Sequence, residues 1–358
     1  MRGVAIGLAL VVSTAGVVRA EPESTAARAS ETKPRVTVAA VGDILFARYL
    51  RTPKNLRRVS LLDQPFEGVV DVLAGADIAF GNVESPVMEE PKNARVHTSL
   101  TFRAEPADAG ILADAGFDVV STANNHTLNL GAAGAAETPE HLEAAGVRAA
   151  GAGATEEDAH EPEILEANGV KVAFLCYTVW TNGRKHQGKG GAVAYINDRK
   201  VKQEVPPLIK KVREDHAPDF VVVSLHWGFE YEDSARNDQK RAARAMIDAG
   251  ADLVLGHHAH VLQEVERYKG GVIAYSLGNF LFDNPKLAQR QTIILEATLE
   301  GKGDDRTVDV TLHPVIIERS KKQRSNPVLA TGKQYRAIAK RLKKLAKGFA
   351  IAPDPGKE

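Results

Sequence analysis

The chain has 358 residues, a length that accommodates one large domain or two smaller ones. Lysine plus arginine equals aspartate plus glutamate, at 46 residues each, so the formal net charge is zero. Domains that bind nucleic acid usually carry a basic excess, so nucleic acid is not an expected partner. The single cysteine, Cys176, excludes an internal disulfide.

The first 20 residues have the features of a signal peptide. Met1-Arg2 is a short basic start, residues 3–18 are uncharged and mostly apolar, and Val18-Arg19-Ala20 fits a small-x-small cleavage site. We therefore expect residues 1–20 to be removed and the mature protein to work outside the cytoplasm, in the periplasm or secreted. A retained N-terminal membrane anchor is the alternative, although the apolar run is short for a membrane span.

Residues 21–34 are polar and are predicted to form a flexible lead. Strands and helices then alternate. The hydrophobic periodicity predicts a strand at 35–41, a helix at 65–74, a strand at 77–80, a helix at 106–115, a strand at 118–121 and a helix at 131–145. This order of elements is typical of an α/β fold with a largely parallel sheet.

The middle of the chain contains a predicted hairpin, because Asn168-Gly169 separates two strand-like runs at 163–167 and 170–178. Helices and strands then alternate again before a strand-rich end. The predicted elements are helices at 198–213 and 234–248, strands at 220–225, 252–255, 263–268, 271–275, 291–299 and 307–317, and a basic helix at 335–349. Parallel and hairpin-connected strands in one body predict two mixed sheets packed face to face, with helices outside.

Side chains capable of metal chemistry recur at the ends of the predicted strands, where α/β sheets bind ligands. They are Asp43, Glu84, Asn124-Asn125-His126, His226 with Glu230, and His257-His258-Ala259-His260. Each has an ordinary structural alternative, such as a turn for Asp43 or a core position for His226. Carboxylates and amides suit Mg or Mn, and imidazoles suit Zn, Fe or Mn. Their recurrence at successive strand ends therefore predicts a divalent metal site.

The order of these motifs resembles the calcineurin-like metallophosphoesterases and, more closely, the CapA family, also called PgsA, of poly-γ-glutamate capsule synthesis. The residues that carry the resemblance are Val41-Gly42-Asp43, Gly81-Asn82-Val83-Glu84, Ala123-Asn124-Asn125-His126, His226-Trp227-Gly228, Gly256-His257-His258 with His260, and Ser276-Leu277-Gly278-Asn279-Phe280. The resemblance implies a metallophosphoesterase-like four-layer α/β/β/α sandwich of two mixed sheets flanked by helices. This domain would span residues 35–320, followed by a C-terminal basic helix and tail at 321–358.

The resemblance also implies roles for single residues. The expected metal ligands or direct substrate contacts are Asp43, Glu84, Asn125, His226, His258 and His260. His126 would be the general acid or transition-state stabiliser, Glu230 would orient His226 or touch substrate, and Asn279 would touch substrate. His257 is expected to pack or to point away. Arg184 and Lys185, in a loop rich in cations, are predicted to attract an anionic polymer, with a solvated loop as the alternative.

Two departures from the phosphoesterase pattern affect the number of metal ions. Asp43 is followed by Ile44-Leu45 instead of an Asp-x-His motif, and Asn82 stands where the pattern has an aspartate that bridges two metals. Two nearby dications repel each other, and a neutral amide does not offset that repulsion. One ion is therefore expected, with a second, weaker ion as the alternative.

The family implies an extracytoplasmic component of poly-γ-glutamate synthesis or export, with a membrane-bound synthase complex as partner. Two other functions stay open at this point. One is a secreted metal-dependent hydrolase of a phosphoester or a γ-glutamyl amide. The other is a non-catalytic subunit that holds polymer or a partner. The C-terminal helix would pack its apolar side on the body or lie on a membrane surface.

Overall fold

The computed structural model describes residues 33–49, 56–91, 100–188 and 190–357. The predicted signal peptide and most of the predicted lead lie outside these residues. Among the helices in the described ranges, none is both long and apolar enough to cross a membrane.

The first sheet contains nine strands in the described part of the chain. They are β1 (Arg35–Ile44), β4 (Ile78–Val83), β5 (Val119–Ser121), β6 (Arg148–Ala150), β16 (Asn279–Leu281), β17 (Gln291–Glu300), β18 (Thr307–Ser320), β19 (Arg324–Leu329) and β20 (Ala350–Ile351). Their order is β19-β18-β17-β1-β4-β5-β6, with β16 paired to β1 and β20 to β18. The half from β1 to β6 is parallel, and β17 to β19 are antiparallel.

The second sheet has six strands, in the order β14-β15-β13-β12-β9-β8. They are β8 (Glu163–Ala167), β9 (Val170–Thr178), β12 (Phe220–His226), β13 (Leu253–His257), β14 (Val265–Tyr268) and β15 (Gly271–Ala274). The predicted hairpin is confirmed, because β8 and β9 are antiparallel and the φ angles of Asn168 and Gly169 are 52° and 72°.

Short strands and eight helices complete the described fold. The short strands are β2 (Ala47–Tyr49) with β3 (Leu56–Arg58), and β7 (Ala152–Gly153) with β11 (Gly191–Val193) and β10 (Gln187–Gly188). The helices are α1 (Val70–Leu73), α2 (Pro106–Asp114), α3 (Gly131–Ala144), α4 (Glu156–His160), α5 (Val201–His216), α6 (Asn237–Asp248), α7 (Leu287–Arg290) and α8 (Gly332–Leu345).

Three hydrophobic clusters define four layers. The two sheets bury their facing sides against each other, and Phe80 of β4 stacks on Phe174 of β9 with ring centroids 5.5 Å apart. The outer side of the first sheet packs against α1, α2 and α3, and the outer side of the second packs against α5 and α6. The predicted α/β/β/α sandwich of two mixed sheets is therefore confirmed.

Two predicted helices differ in detail. The helix predicted at 65–74 is only α1, preceded by a 3₁₀ turn at Glu67–Val69, because Val69 has a non-helical φ of −140°. The C-terminal helix α8 begins at Gly332 rather than Tyr335 and ends at Leu345. Its Ile338 and Leu342 are buried in the cluster between the sheets, so its apolar side packs on the body, which is the first of the two predicted alternatives.

The segment between β15 and β16 crosses from the second sheet to the first. Two glycines permit this crossing. A Cβ atom on Gly42 would lie 1.9 Å from the carbonyl oxygen of Gly278, and one on Gly256 would lie 1.9 Å from that of Tyr275. The strand ends that carry Asp43 and His257 are thereby held against the same short segment.

Candidate metal centre

The candidate site lies where the carboxyl ends of parallel strands from both sheets meet. Asp43 of β1 is in register with Asn82 of β4, and His226 of β12 is in register with His257 of β13. Side chains of the second sheet reach Asp43. The Nδ1 atoms of His257 and His260 each lie 3.3 Å from one of its carboxylate oxygens. Burial alone would raise the pKa of Asp43, but these two histidines lower it well below its usual value.

Glu84 is at the centre of the site and is completely buried. Its Oε1 atom lies 3.8 Å from the Nε2 atoms of His126, His226 and His260. Neither carboxylate oxygen has a hydrogen-bond partner among the described residues, and burial raises the pKa of Glu84 well above its usual value. A buried carboxylate without a partner is costly unless a cation compensates it.

The donor atoms are close enough together to hold a metal ion. Three overlapping groups, each with ligand atoms within 4.8 Å of one another, are Glu84-His226-His258, Asp43-Glu84-His260 and Glu230-His258-His260. Mixed carboxylate and imidazole donors suit Zn, Mn or Fe. The chemistry and the unpaired carboxylate of Glu84 therefore fit a divalent cation.

The orientation of the Asn82 amide is fixed by Asn124, whose own amide is fixed by two backbone groups. The Nδ2 of Asn124 donates to the carbonyl of Val83 at 2.8 Å, and its Oδ1 accepts from the backbone N–H of His126 at 3.0 Å. Asn124 therefore presents Nδ2 to the Oδ1 of Asn82 at 3.3 Å, and Asn82 donates to Asp43 at 2.8 Å. The amide of Asn82 is occupied by protein contacts and does not act as a bridging anion.

The same amide sets the proton position on His226. The Nδ2 of Asn82 is a donor and lies 3.3 Å from Nδ1 of His226, so that nitrogen accepts. The proton of the neutral ring is then on Nε2, which donates to Oδ1 of Asn125 at 3.0 Å. Burial lowers the pKa of His226 well below its usual value. Asn125, predicted as a ligand, is thus a hydrogen-bond partner of His226, and its Nδ2 donates to Asn182.

His126 has the opposite tautomer. The Oδ1 of Asn129 accepts the backbone N–H of Phe102 at 2.7 Å, so it also accepts from Nδ1 of His126 at 2.9 Å. The ring stacks on Phe102 with centroids 3.7 Å apart, and burial lowers its pKa to about 3. Its Nε2 therefore carries a lone pair towards Glu84. The predicted general-acid role needs a proton on this atom, so the geometry favours a ligand or a proton acceptor.

His258 and His260 have left-handed backbone, with φ angles of 84° and 55°. The backbone N–H of His258 donates to Asp43 at 3.2 Å, and burial lowers the pKa of its ring to about 3. Burial alone would lower the pKa of His260, but Glu84 and Asp43 raise it to about 9. Asn279 is fully buried and binds Nδ1 of His260 at 2.8 Å, which places it behind this ring.

The remaining predicted residues lie at different distances from the centre. Glu230 is exposed. A carboxylate oxygen of Glu230 lies within 4.8 Å of ring nitrogens of His258 and His260. His257 packs against Phe80, as expected, although it also contacts Asp43. The described contacts of Arg184 stay within its loop, to Thr181, and Lys185 is exposed. The predicted role of this loop stays a prediction.

Several residues of the site were missed at the sequence level. Asn129 orients His126, and Arg48 lies over the ring of Phe102 at 4.8 Å. Phe229 and Tyr231, on either side of Glu230, are about half exposed at 48% and 49%. Arg48 is far from Phe102 in the chain and has no spacing signal, whereas Asn129, Phe229 and Tyr231 lie within three residues of His126 or Glu230.

The comparisons with known proteins agree with the motifs. Residues 37–284 match the family described as "Bacterial capsule synthesis protein PGA_cap". The chain belongs to this family. It is 31% identical over 315 residues to "Capsule biosynthesis protein CapA" of Bacillus anthracis, covering 86% of this chain and 73% of that one. It is 34% identical over 271 residues to "PGA biosynthesis protein CapA" of Bacillus subtilis (strain 168), covering 74% and 68%.

Among solved structures, the NAD nucleotidase NadN of Haemophilus influenzae aligns with a TM-score of 0.45 and 11% identity, covering 90% of this chain and 58% of that one. The family assignment rests on the match over residues 37–284 and on the two Bacillus relatives. The expected membership of the PGA_cap and CapA group is confirmed.

Proposed function

We propose that this chain is an extracytoplasmic component of poly-γ-glutamate capsule synthesis or export that binds one divalent metal ion beside Glu84. The capsule and PGA names of the two Bacillus relatives support the polymer. The basic start, apolar run and cleavage pattern at residues 1–20 support the location.

The single observation that carries the metal site is the buried carboxylate of Glu84, which accepts no hydrogen bond from the described residues and faces three imidazole nitrogens at 3.8 Å. Asp43, Glu84 and His260 would hold the ion, with His258 beside them. A bound divalent ion would polarise an oxygen of a phosphoryl or acyl group and lower the pKa of bound water. The lone pair on Nε2 of His126 would accept a proton, and the exposed Glu230 would meet the substrate at the mouth of the site.

Metal binding tests this proposal directly. Protein stripped with a chelator and titrated with Mn²⁺ or Zn²⁺ should bind about one ion per chain at micromolar concentration or tighter, measured by calorimetry and by elemental analysis. The variant Glu84→Gln keeps the shape of the side chain and removes its charge, so its affinity should fall about 10- to 100-fold. Wild-type protein that binds neither metal at these concentrations would contradict the metal site.

A non-catalytic role for the cleft is the second candidate, and two observations favour it over hydrolysis. Asn82 supplies an amide that donates to Asp43 rather than a bridging anion, and the contact of Nδ1 of His126 with Asn129 favours the tautomer in which Nε2 has no proton to give to a leaving group. Metal-loaded protein should then cleave neither p-nitrophenyl phosphate nor poly-γ-glutamate faster than the free metal does. Cleavage that His126→Ala abolishes would instead establish the hydrolase.

The proposed location has its own test. Protein recovered from the producing cells should have Glu21 as its first residue, as determined by N-terminal sequencing. A mature chain that still begins at Met1 would rule out the cleaved signal peptide and leave the anchor alternative.

A further inference from the structure

Four cationic side chains line a surface cavity of about 500 Å³. They are Arg57, Arg319, Lys321 and Arg324, and Asp283 is the one acidic residue among the lining side chains. Arg319 and Lys321 are exposed; Arg319 lies near the end of β18 and Lys321 lies in the turn that leads to β19. The chain as a whole has no net charge, so this group is a local positive excess. We refer to these four residues as the cationic cluster.

The cationic cluster is connected to the metal centre by a chain of contacts. Asp283 pairs with Arg57 at 2.8 Å and also with Arg48. The guanidinium of Arg48 lies over Phe102, whose ring stacks on His126. Phe282, which precedes Asp283, lies 4.8 Å from the ring of His260. The cavity is therefore linked to His126 through Asp283, Arg48 and Phe102.

We propose that the cationic cluster binds the carboxylates of a polyanionic chain and guides that chain to the metal centre. This inference rests on the proposed function and adds the surface that the polymer follows. Arginine presents a planar fork of donors that matches a carboxylate, and three of the four residues are arginines. Asp283 engages Arg57 and Arg48, which leaves Arg319 and Lys321 as the most accessible cations.

The number of cations indicates a polymer rather than a single amino acid. A single exposed ion pair contributes little to binding, so one glutamate would bind weakly. Successive carboxylates on one chain engage several cations together, and linked contacts raise the overall affinity steeply. We therefore expect binding to increase with polymer length and to weaken as salt is added.

The test uses fluorescently labelled poly-γ-glutamate and the metal-loaded full chain. Anisotropy should show binding that Arg319→Glu/Lys321→Glu weakens at least about tenfold, since two attractions become repulsions. The matched control is Lys343→Glu/Lys344→Glu on the exposed side of α8, which changes the net charge by the same amount. The control should change the affinity less than about twofold. Both variants should bind the metal ion as the wild type does, which shows that they are folded.

The outcomes separate this inference from the proposed function. If wild-type protein binds the polymer and the cluster variant binds it equally well, the cluster is not the polymer surface, whereas the proposed function stands. If the wild type binds metal but no poly-γ-glutamate, the polymer assignment itself fails. If the α8 control weakens binding as much as the cluster variant does, the attraction is general and the inference is wrong. Should the double variant fail to bind metal, Lys321→Ala alone should still weaken polymer binding.

Discussion

At the scale of single residues, the site combines buried acids with histidines whose protons are fixed by asparagines. Asn82 and Asn129 determine which ring nitrogen of His226 and His126 carries a proton, and Asn279 accepts from Nδ1 of His260. The sequence predicts most of the donors, because they follow strand ends. It does not predict these tautomers, since they depend on amide groups that meet the rings only in the folded chain.

Metal affinity should depend on pH through His260. Its pKa is raised to about 9, so at pH 7 the ring carries a proton that an incoming ion must displace, whereas His126 and His258, with a pKa of about 3, are already neutral. Affinity should therefore rise about tenfold per pH unit between pH 6 and 8 for each proton displaced. Calorimetry in buffers of different ionisation enthalpy counts the protons released.

The control for this pH dependence is His258→Ala. It should weaken metal binding and keep the same slope with pH, because the removed ring is not protonated in this range. An affinity that stays constant from pH 6 to pH 8 would show that no proton competes with the ion.

The variant Asn82→Asp should change the number of ions bound. A carboxylate at this position supplies the negative charge that two adjacent dications need, so the stoichiometry should rise from about one to about two per chain. Without metal, the new charge faces Asp43, at present 2.8 Å from the amide, and should lower the thermal stability. Elemental analysis after dialysis measures the first effect and a thermal melt the second. A variant that still binds one ion would mean that a second position is missing for another reason.

At the scale of elements, strand ends and helix ends explain how the donors come together. Hydrophobic periodicity predicts β1, β4, β5, β12 and β13 within a few residues, because each is buried on both faces. The three-residue strand β16 (Asn279–Leu281) has no such signal, although it pairs with β1 next to Asp43. The predicted length of the helix at 65–74 was too great, because apolar spacing alone does not reveal the non-helical backbone at Val69.

Because the segment between β15 and β16 passes close to Gly42, a small substitution there should strongly destabilise the fold. Gly42→Ala would place its methyl group 1.9 Å from the carbonyl oxygen of Gly278, which neither strand can avoid without moving. We expect a loss of more than ~2 kcal/mol in the free energy of unfolding, measured by urea denaturation.

Gly110→Ala is the matched control, because it lies within α2 and a Cβ atom there would contact nothing within 4 Å. This variant should be more stable by about 0.5–1 kcal/mol, since alanine favours a helix. Equal stability for the two alanine variants would mean that the crossing tolerates movement.

At the scale of the whole molecule, the candidate metal centre lies between the two sheets. Asp43 and Glu84 come from the first sheet, and His258 and His260 follow a strand of the second. The four-layer arrangement and its strand-edge site were predictable from the order of the motifs. The proposed role of the cationic cluster was not predictable, because Arg48 is far from Asp283 and Arg319 in the chain and none of the three belongs to a motif.

An ion bound between the two sheets should stabilise the whole fold. A ligand that binds only the folded state adds about 2.7 kcal/mol when its concentration is 100 times Kd, so Tm should rise by several degrees with saturating Mn²⁺ or Zn²⁺. Glu84→Gln should lose this shift. A wild-type Tm that stays unchanged when Mn²⁺ or Zn²⁺ is added would contradict a site shared by both sheets.

The two glycines at the crossing are close in the chain to possible metal ligands, Gly42 to Asp43 and Gly256 to His258. The glycines and the ligands are nevertheless needed for different reasons. Gly42 and Gly256 are required by the path of the backbone, whereas the ring of His258 is required only if the ion is. Over evolutionary time, a relative that abandons the metal should keep both glycines and let the donors drift. In divergent sequences, retained glycines with changed ligand residues would indicate that the metal was lost while the fold was kept.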